Sequence, residues 1–435
     1  MSKTAAVLAL SLMLLAFPAF ADEATLQVED VMGANPKLVD PVKSTFPTVK
    51  IAEVKRWEAG KTPLAAPGFT VKEFAGGLDH PRWIYVLPNG DVLVAETNAP
   101  PKPEQGGIKG FFMKKAMKKA GAATKSANRI TLLRDADGDG RPEVREAFLE
   151  NLNSPFGMAL VGNDFYVADT DKVMKFPYTA GATKITAPSE KLADLPGGDL
   201  NHHWTKNLVA SKDGKFLYAS VGSNSNVAEN GLDKEVNRAA ILEIERATGK
   251  TRLFASGLRN PVGMDFNPVT GDLWTAVNER DELGSDLVPD YMTSVKDGAF
   301  YGWPWSYWGH VDTRVEPTNV EMVAKALSPD YALGPHTASL GLTFYTADAF
   351  GAAYKNGVFI GQHGSWNRDP PSGYKVIFVP FKNGKPDGKP ENFLSGFLDA
   401  EGNAQGRPVG VAVDSKGALL VADDVGNVIW RVSAP

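Results

Sequence analysis

The chain contains no cysteine among its 435 residues. That absence excludes disulfide bonds, thiolate metal sites and cysteine nucleophiles together. Without disulfides, a protein of this length depends on a large apolar core, and its 43% of hydrophobic residues can supply one. Length alone would allow two or three domains, although single all-β domains also reach this size.

Basic charge is also scarce. Lysine and arginine together number 46 against 51 acidic residues, and the formal net charge is −5. A nucleic-acid-binding domain carries a concentrated basic face, which this balance does not provide. We therefore expect no nucleic-acid partner.

Long apolar runs are missing after the N-terminus. The run at residues 5–17 follows Lys3 and precedes Ala19-Phe20-Ala21, which has the pattern of a signal-peptide cleavage site. This run is too short to span a bilayer, and no later segment is apolar enough. We interpret residues 1–21 as a signal peptide cleaved after Ala21, which predicts a periplasmic or secreted protein with no transmembrane segment in the mature chain.

What the chain does have is a repeat. Six stretches combine a proline or glycine, a short apolar run, a turn and a second strand-like run, and they begin at His80, Ser154, His203, Asn260, Ser339 and Arg407. Alternating apolar runs joined at Asn89-Gly90 or Lys416-Gly417 are typical of β-hairpins. Such units cannot bury their own faces alone, so they pack side by side. The repeats predict an all-β fold, a six-bladed β-propeller, whose loops gather around one central pocket.

The repeats also set the domain organisation. Residues 22–66 carry scattered proline and charge, and we interpret them as an N-terminal extension; residues 67–435 form the propeller. A strand at about residues 68–76 and a final strand near residues 427–432 are complementary termini. Pairing between them would close the ring at the last blade and hide its edges.

Residues 99–129 interrupt the repeat with eight basic residues and one acidic residue. At helical spacing, one face collects lysines and the other collects apolar side chains, so the segment is predicted as a basic amphipathic helix. The lysines are Lys114, Lys115, Lys118 and Lys119, and the apolar residues are Phe112, Met113, Ala116, Met117 and Ala120. Two interpretations remain: a helix packed on the propeller with solvated lysines, or a docking surface for an acidic redox partner or anionic lipid.

A second local motif follows the strand that ends at Arg134. Its carboxylates alternate, with glycine at the sixth position and an acid at the twelfth, as in a calcium loop of the EF-hand type; the acids are Asp135, Asp137, Asp139 and Glu146. However, Pro142 stands where that loop prefers a β-branched residue, and strands flank it. A hairpin turn rich in aspartate and glycine explains the same residues.

Histidines and arginines recur just before the predicted innermost strands. The histidines are His80, His202, His203 and His336; the arginines are Arg82, Arg259 and Arg407, with Arg368 in a separate loop. Several guanidinium groups around one pocket repel each other unless an anion binds there, so a ligand with several carboxylates or phosphates is predicted. The alternative is that each arginine pairs with a local acid on the rim.

The order of several short motifs carries a family resemblance. They are Pro81-Arg82-Trp83-Ile84, Glu96-Thr97-Asn98, His202-His203-Trp204 with Leu208-Val209, Gly257-Leu258-Arg259-Asn260-Pro261, Asn278-Glu279-Arg280-Asp281 and the segment from Asp297 to Pro304. Together they resemble the soluble sugar dehydrogenases that depend on pyrroloquinoline quinone (PQQ), most closely the L-sorbosone dehydrogenase branch. The likeness covers residues 68–434, and it agrees with six blades, export and a polyanionic ligand.

The resemblance implies a mechanism. PQQ would lie at the pore mouth with one Ca²⁺ bridging it to the protein, and hydride would pass from the substrate to the quinone. His203, five residues before Leu208, corresponds to the family's general base. Arg259 resembles the arginine that steadies charge on the quinone oxygen, and Asn260 the adjoining cofactor contact.

The remaining assignments also come from the resemblance. Arg407 matches an arginine that binds a cofactor carboxylate, and either Lys375 or Arg368 matches the cofactor-binding lysine. Asp281 and Glu282 stand where the family's calcium ligands lie, in place of a Gly-Pro pair. The implied substrate is an aldose, a sorbosone-like sugar or a related aldehyde, and the implied electron acceptor is a periplasmic cytochrome c or quinone.

Two functions from other classes also suit a six-bladed propeller. A calcium-dependent hydrolase of the lactonase type would use Glu96, an asparagine and Asp423 around a central ion. A non-catalytic propeller would bind glycans or protein partners, since a fold alone does not determine function.

Overall fold

Six antiparallel sheets form the blades of a six-bladed β-propeller in the computed structural model, which describes residues 22–42, 48–101 and 115–435. This confirms the all-β fold that the repeats predict. The predicted signal peptide, residues 1–21, lies outside the described residues.

In the first three blades, four consecutive strands run from the axis outward. Blade 1 contains Pro81–Val86, Val92–Glu96, Arg129–Arg134 and Val144–Leu149. Blade 2 contains Met158–Val161, Asp164–Ala168, Lys172–Pro177 and Glu190–Asp194. Blade 3 contains Leu208–Ala210, Phe216–Val221, Ala240–Glu245 and Thr251–Ser256.

The other three blades each include a strand from residues 22–75, which precede the first blade. Blade 4 contains Pro261–Phe266, Leu273–Val277, Pro289–Val295 and Tyr331–Pro335, followed by Met32–Gly33. Blade 5 contains Ser339–Phe344, Val358–Gln362, Lys375–Val379 and Glu391–Ser395, followed by Leu64–Ala65. Blade 6 contains Pro408–Val413, Leu419–Asp423 and Val428–Ser433, followed by Thr70–Ala75.

Smaller elements lie between these strands. They are the hairpin of Ser306–Tyr307 and His310–Val311, the hairpin of Phe381–Lys382 and Lys385–Pro386, the 3₁₀ turns Val28–Val31 and Leu232–Glu235, and the α-helix Val320–Lys325. None of the helices within the described ranges is long and apolar enough to cross a membrane.

Both ends of the propeller domain meet in blade 6. The strand Thr70–Ala75 pairs antiparallel with Val428–Ser433, and Val71 lies opposite Val432. The last blade therefore combines strands from the two ends of the propeller domain, and the chain passes from its outermost strand into the first blade.

One apolar cluster fills the axis. Its members include one side chain from each blade: Trp83, Phe156, Val262, Leu340 and Val409 are buried, and Trp204 packs against them. Five of the six lie within two residues of the proline or glycine at the start of a repeat, and Trp204 is the exception. Since large side chains occupy the axis at this level, a ligand can enter only from the ends.

Glycines of the repeat allow adjacent innermost strands to approach closely. A Cβ on Gly341 would collide with the carbonyl oxygen of Val409 in the next blade. A Cβ on Gly410 would lie 2.7 Å from the carbonyl oxygen of Arg82, again in the next blade. The four repeats that carry a glycine here, Gly157, Gly263, Gly341 and Gly410, thus require it for backbone packing between blades, which is a steric constraint.

Antiparallel order brings particular loops to one end of the ring. The start of each innermost strand and the end of each second strand lie side by side, as Pro408 opposite Asp423 shows in blade 6. The loops before the first strand and after the second strand of every blade therefore share one end. The histidines and arginines that the sequence marks as functional lie in or next to these loops.

The basic insertion also belongs to this end, because it connects the second and third strands of blade 1. Its described part is helical at residues 115–119. Ala120 is buried, Lys118 and Lys119 are exposed, and the carbonyl of Lys119 accepts a hydrogen bond from Val54 N at 3.1 Å. Lys114, Phe112 and Met113 lie outside the described residues, and a docking role stays a prediction.

The packing of the innermost strands gives a stability test. We expect Gly341→Ala to lower the free energy of unfolding by about 1–3 kcal/mol or more, because the new methyl group overlaps a fixed backbone carbonyl. Thermal unfolding followed by circular dichroism measures this effect. Gly271→Ala is the control: its φ is +77° and nothing lies within 4 Å of the new Cβ, so it reports backbone strain alone. Equal destabilisation by the two changes would contradict the steric account.

Candidate active site

His203 lies in the loop before the innermost strand of blade 3 and is half-buried. Its Nδ1 is 2.9 Å from the carbonyl oxygen of Ser223 and 3.1 Å from the Ser223 hydroxyl. A carbonyl can only accept, so Nδ1 carries the proton and Nε2 carries the lone pair. The adjacent His202 is exposed, and its ring meets the His203 ring edge-on at 4.7 Å.

Asn260 stands beside His203. A Cβ on Gly222 would collide with both the Asn260 Oδ1 and the His203 Cβ, so this glycine leaves room for the two side chains to lie together. Asn260 is buried, and its Oδ1 has no hydrogen-bond partner within the described residues. An unpartnered buried amide oxygen is costly unless a ligand satisfies it.

Arg259 is buried between blades 3 and 4. Its guanidinium donates to the carbonyl of Glu279 at 2.6 Å and to Oδ1 of Asn226 at 3.0 Å, and its Nη2 lies 3.4 Å from the Asp281 carboxylate. Its own carbonyl accepts from Ser223 N at 2.8 Å. Arg259 is therefore fixed in place and connected to His203 through Ser223.

Asp281 and His336 form the next part of the site. His336 Nδ1 lies 3.3 Å from Oδ1 of Asp281, and its Nε2 lies 2.9 Å from the carbonyl oxygen of Gly284. Both ring nitrogens thus face acceptors, which favours the imidazolium form. Burial raises the pKa of Asp281, but the hydrogen bond from His336 and the Arg259 charge outweigh burial and keep the pKa below its usual range.

Arg407 has hydrogen-bond donors that are unsatisfied. It is fully buried, and its Nη2 donates to the Tyr374 hydroxyl at 3.0 Å. Its Nε and Nη1 have no hydrogen-bond partner in the described part of the chain. Aromatic rings of Trp366 and Tyr374 lie 5.9 and 5.1 Å from the guanidinium. A buried guanidinium with unpaired nitrogens destabilises the fold unless an anion binds to it.

A second charged group lies next to Arg407. Buried Asp424 accepts from Arg82 at 2.7 Å and from His363 Nε2 at 2.9 Å, and its backbone nitrogen donates to the Arg407 carbonyl. Burial lowers the pKa of His80 to about 4 and also lowers that of His363, so both are neutral at neutral pH. The carboxylate of Asp424 therefore lies near two guanidinium groups, those of Arg82 and Arg407, and this cluster has a net positive charge.

These groups form one closed ring of contacts at the end of the propeller, which we call the polar ring. Arg82 lies 5.7 Å from the indole of Trp204, the residue after His203. On the opposite side, Asn367 hydrogen-bonds Asp281 and follows Trp366, which Arg407 covers. The members of the polar ring are His203, Asn260, Arg259, Asp281, His336, Asn367, Trp366, Arg407, Asp424 and Arg82.

Two predicted cofactor residues have other partners. Arg368 donates to the Leu26 carbonyl at 2.8 Å and to Asp286 at 3.2 Å. Lys375 lies 3.9 Å from the Glu29 carboxylate, and burial lowers its pKa while Glu29 opposes that shift. Both partners, Leu26 and Glu29, come from the N-terminal extension, so the extension covers this side of the site.

The arginines thus divide between the two interpretations offered by the sequence. Arg82, Arg259 and Arg368 pair with the local acids Asp424, Asp281 and Asp286, as the alternative expects. Arg407 forms no ion pair within the described ranges, and its orphaned nitrogens favour the anion-binding interpretation.

The predicted calcium positions do not share a ligand set. The Asp281 carboxylate already accepts from a guanidinium and an imidazole, and Glu282 is exposed. Within the described residues, the acidic side chains close enough to hold an ion together are Asp135, Asp137, Asp139 and Glu143, in the hairpin between the outer strands of blade 1. Glu146 is not among them. That hairpin lies at the end of blade 1 opposite the polar ring.

The residues of the hydrolase alternative are engaged elsewhere. Glu96 is fully buried and accepts from Arg129 Nε at 2.9 Å and Nη2 at 2.7 Å. Asp423 accepts from the indoles of Trp57 and Trp430 at 2.7 and 3.1 Å. Neither carboxylate faces a central ion position, so no observation favours that alternative.

Sequence reasoning missed His363 and Asp424. Both follow the second strand of a blade, whereas the sequence search followed the start of the first strand. The signal was present: Asp423 and Asp424 end an apolar strand, and second-strand ends lie at the same end of the ring. His310, the remaining histidine, is exposed in a peripheral hairpin.

The chain is similar in sequence to known proteins. The chain is 24% identical over 460 residues to a PQQ-dependent pyranose dehydrogenase of Coprinopsis cinerea, covering 90% of this chain but only 57% of that enzyme's length. It is 29% identical over 293 residues to an uncharacterized protein of Borreliella burgdorferi, covering 65% of this chain and 76% of the relative.

Solved structures show the same fold. The AA12 carbohydrate-active enzyme of Trichoderma reesei superposes with a TM-score of 0.68 at 19% identity, covering 91% of this chain and 100% of that one. The holo PQQ domain of the Coprinopsis pyranose dehydrogenase has a TM-score of 0.67 at 20% identity, with coverages of 88% and 100%. A family model described as TrAA12-like matches residues 63–293 and 311–434. Because that match includes most of the chain and every blade, the protein belongs to the TrAA12-like family.

Proposed function

We propose that this protein is a PQQ-dependent oxidoreductase that oxidises the hydroxyl of an aldose, a sorbosone-like sugar or a related aldehyde hydrate. The observation that carries the proposal is Arg407, a fully buried guanidinium with two nitrogens that lack partners. PQQ bears carboxylates that suit such a group. The PQQ-dependent pyranose dehydrogenase of Coprinopsis cinerea and the PQQ-bound aldose sugar dehydrogenase of Streptomyces coelicolor support the same cofactor.

The cofactor would lie against the positive side of the polar ring. Arg407 would hold a carboxylate through Nε and Nη1, and Asn260 Oδ1 would accept a hydrogen bond at the opposite side. When bound, PQQ supplies a hydride acceptor, which no side chain can supply. Trp366 and Trp204 stand beside Arg407 and Arg82, and they would exclude water from a planar ligand between them.

His203 is proposed as the general base. Its Nδ1 proton is directed to the Ser223 carbonyl, which fixes the tautomer with the lone pair on Nε2. Nε2 would take the hydroxyl proton of the substrate as hydride leaves the adjacent carbon, and His203 would then carry one positive charge. Arg259 would stabilise negative charge that develops nearby, because its own position is fixed by Glu279 and Asn226.

Calcium binding is proposed from the family resemblance. The carboxylate oxygens of Asp281 already pair with Arg259 and His336, so Asp281 and Glu282 do not form a ready ion site and we assign no step to a metal.

Export to the periplasm, and a cytochrome c or quinone as the acceptor of electrons, are also proposed from the sequence. The exposed Lys118 and Lys119 beside the site are compatible with an acidic acceptor.

The first test concerns Arg407. We expect Arg407→Met to weaken PQQ binding by about 10- to 100-fold, the usual value of a hydrogen bond to a charged group. The melting temperature of the apoprotein should stay the same or rise, since an unpaired buried charge is removed. Fluorescence titration with PQQ and thermal unfolding measure the two effects. Arg252→Ala, an exposed arginine paired with Glu243 and Asp297, should change neither affinity nor the site; unchanged affinity in Arg407→Met would contradict the proposal.

The second test concerns His203. We expect His203→Gln to lower kcat by about 10²–10⁴-fold, the usual contribution of a positioned general base, with PQQ binding nearly unchanged. Steady-state dye reduction and PQQ titration separate these quantities. His202→Gln is the matched control, because His202 is exposed. A large loss of kcat in His202→Gln with a mild loss in His203→Gln would show that His202, and not His203, is the base. If neither change lowers kcat, the result counts against a dehydrogenase.

The third test separates PQQ from calcium. If a Ca²⁺ ion bound near Asp281 is required, EDTA should abolish the activity of the PQQ-loaded protein and Ca²⁺ should restore it. Asp281→Asn should then raise the Ca²⁺ concentration needed for half-maximal activity by about tenfold or more, since one charged ligand is lost. The same Ca²⁺ requirement in the variant would place the ion elsewhere, and EDTA-resistant activity would remove calcium from the account.

A further inference from the structure

A cavity of about 420 Å³ lies beside the polar ring. It adjoins the ring at two points, because Glu282 directly follows Asp281 and Asn367 hydrogen-bonds Asp281. Its volume is in the range of about 300–1,000 Å³ found for small-molecule sites. Its walls are formed by the N-terminal extension, by the loop after Asp281, by residues 307–314 and by Asn367.

One wall is the N-terminal extension, which several hydrogen bonds hold in place. Thr25 N and its hydroxyl donate to Asp286 at 2.6 and 2.8 Å, and Val42 N donates to the Leu283 carbonyl at 3.0 Å. Ser285 N donates to the Asp22 carboxylate at 2.7 Å. Hydrogen bonds therefore hold this wall against the same loop that carries Asp281.

The opposite wall is the hairpin and turn at residues 306–314. Arg314 donates to the Asp281 carbonyl at 2.8 Å and to both carboxylate oxygens of Asp312 at 2.9 and 2.8 Å. Asp312 also pairs with buried Arg280 at 3.0 Å. Arg280 also pairs with Glu279 at 2.9 Å, so the two guanidinium groups and the two carboxylates balance, and this wall does not require a charged ligand.

The remaining lining groups combine apolar and hydrogen-bonding surface. Tyr307, Leu283 and Val311 give an apolar side. Glu282 and Asn367 offer a carboxylate and an amide, and Thr313 and Thr48 offer hydroxyls. A sugar ring presents an apolar C–H face and a rim of hydroxyl groups, which these two kinds of surface match.

Part of the cavity wall lies outside the residues that the family model matches. That match begins at residue 63 and omits residues 294–310. Asp22, Pro41, Val42, Thr48 and Tyr307 are in the unmatched parts, whereas the other lining residues, including residues 311–314, are in the matched parts. The N-terminal side of the cavity is therefore formed by residues that the family model does not include.

We propose that this cavity binds the sugar ring adjacent to the reacting one, so that the preferred substrate is a reducing oligosaccharide of at least two rings. The inference rests on the proposed function, since it places the reacting ring at His203 and the next ring toward Glu282 and Tyr307. Binding energy from the second ring would then orient the first.

Filling the cavity tests this inference. Val311 lines the cavity and is 44% exposed, so Val311→Trp can add bulk there without replacing a core residue. We expect the ratio of kcat/KM for cellobiose or maltose to kcat/KM for glucose to fall at least tenfold in this variant, with the glucose value within twofold of the parent. Val269→Trp is the control, because Val269 is 53% exposed in a turn of blade 4 at the end opposite the polar ring. An unchanged ratio in Val311→Trp overturns the inference.

A direct binding measurement separates this inference from the dehydrogenase proposal. Cellobiose and maltose are titrated into the parent protein and into Val311→Trp, and binding is followed by saturation-transfer NMR. If the parent oxidises no aldose or aldehyde with PQQ, glucose included, the dehydrogenase proposal fails, yet disaccharide binding that is lost in Val311→Trp still supports the cavity as a sugar site. If the parent binds no disaccharide, or Val311→Trp binds it equally well, the cavity inference fails whatever the activity.

Discussion

The close approach of the innermost strands is the constraint on which the rest of the molecule depends. Gly341 and Gly410 allow backbone to pack against backbone between blades, and Trp83, Phe156 and Val409 then fill the axis. Because this cluster occupies the axis among the described residues, a central ligand site is expected at one of the ends of the ring. Antiparallel strand order brings first-strand starts and second-strand ends to one of those ends, and the polar ring forms there.

The polar ring concentrates more positive than negative charge in a buried place. Asp424 and Asp281 neutralise Arg82 and Arg259, and Arg407 stays without an acid among the described residues. A buried and unpaired guanidinium lowers the free energy of unfolding when no ligand is bound. The proposed carboxylate-bearing cofactor is the simplest partner of the right charge for this position.

The sequence was sufficient for the architecture, and it placed several candidate site residues at one end of the ring. Repeated turns predicted six blades, and first-strand positions predicted that His203, Arg259 and Arg407 converge. It did not reveal His363 and Asp424, since second-strand ends carry no proline or glycine signature. Nor did it show that Arg368 and Lys375 face Leu26 and Glu29, because contacts between segments more than 300 residues apart follow from packing rather than from local pattern.

The central claim is that Arg407 binds a carboxylate of PQQ, and a crystal structure of the protein soaked with PQQ and Ca²⁺ tests it most directly. The account predicts a PQQ carboxylate within hydrogen-bond distance, about 2.7–2.9 Å, of Nε or Nη1 of Arg407, with the quinone toward His203. PQQ bound elsewhere, or PQQ in the polar ring with those two nitrogens still unpaired, would contradict it.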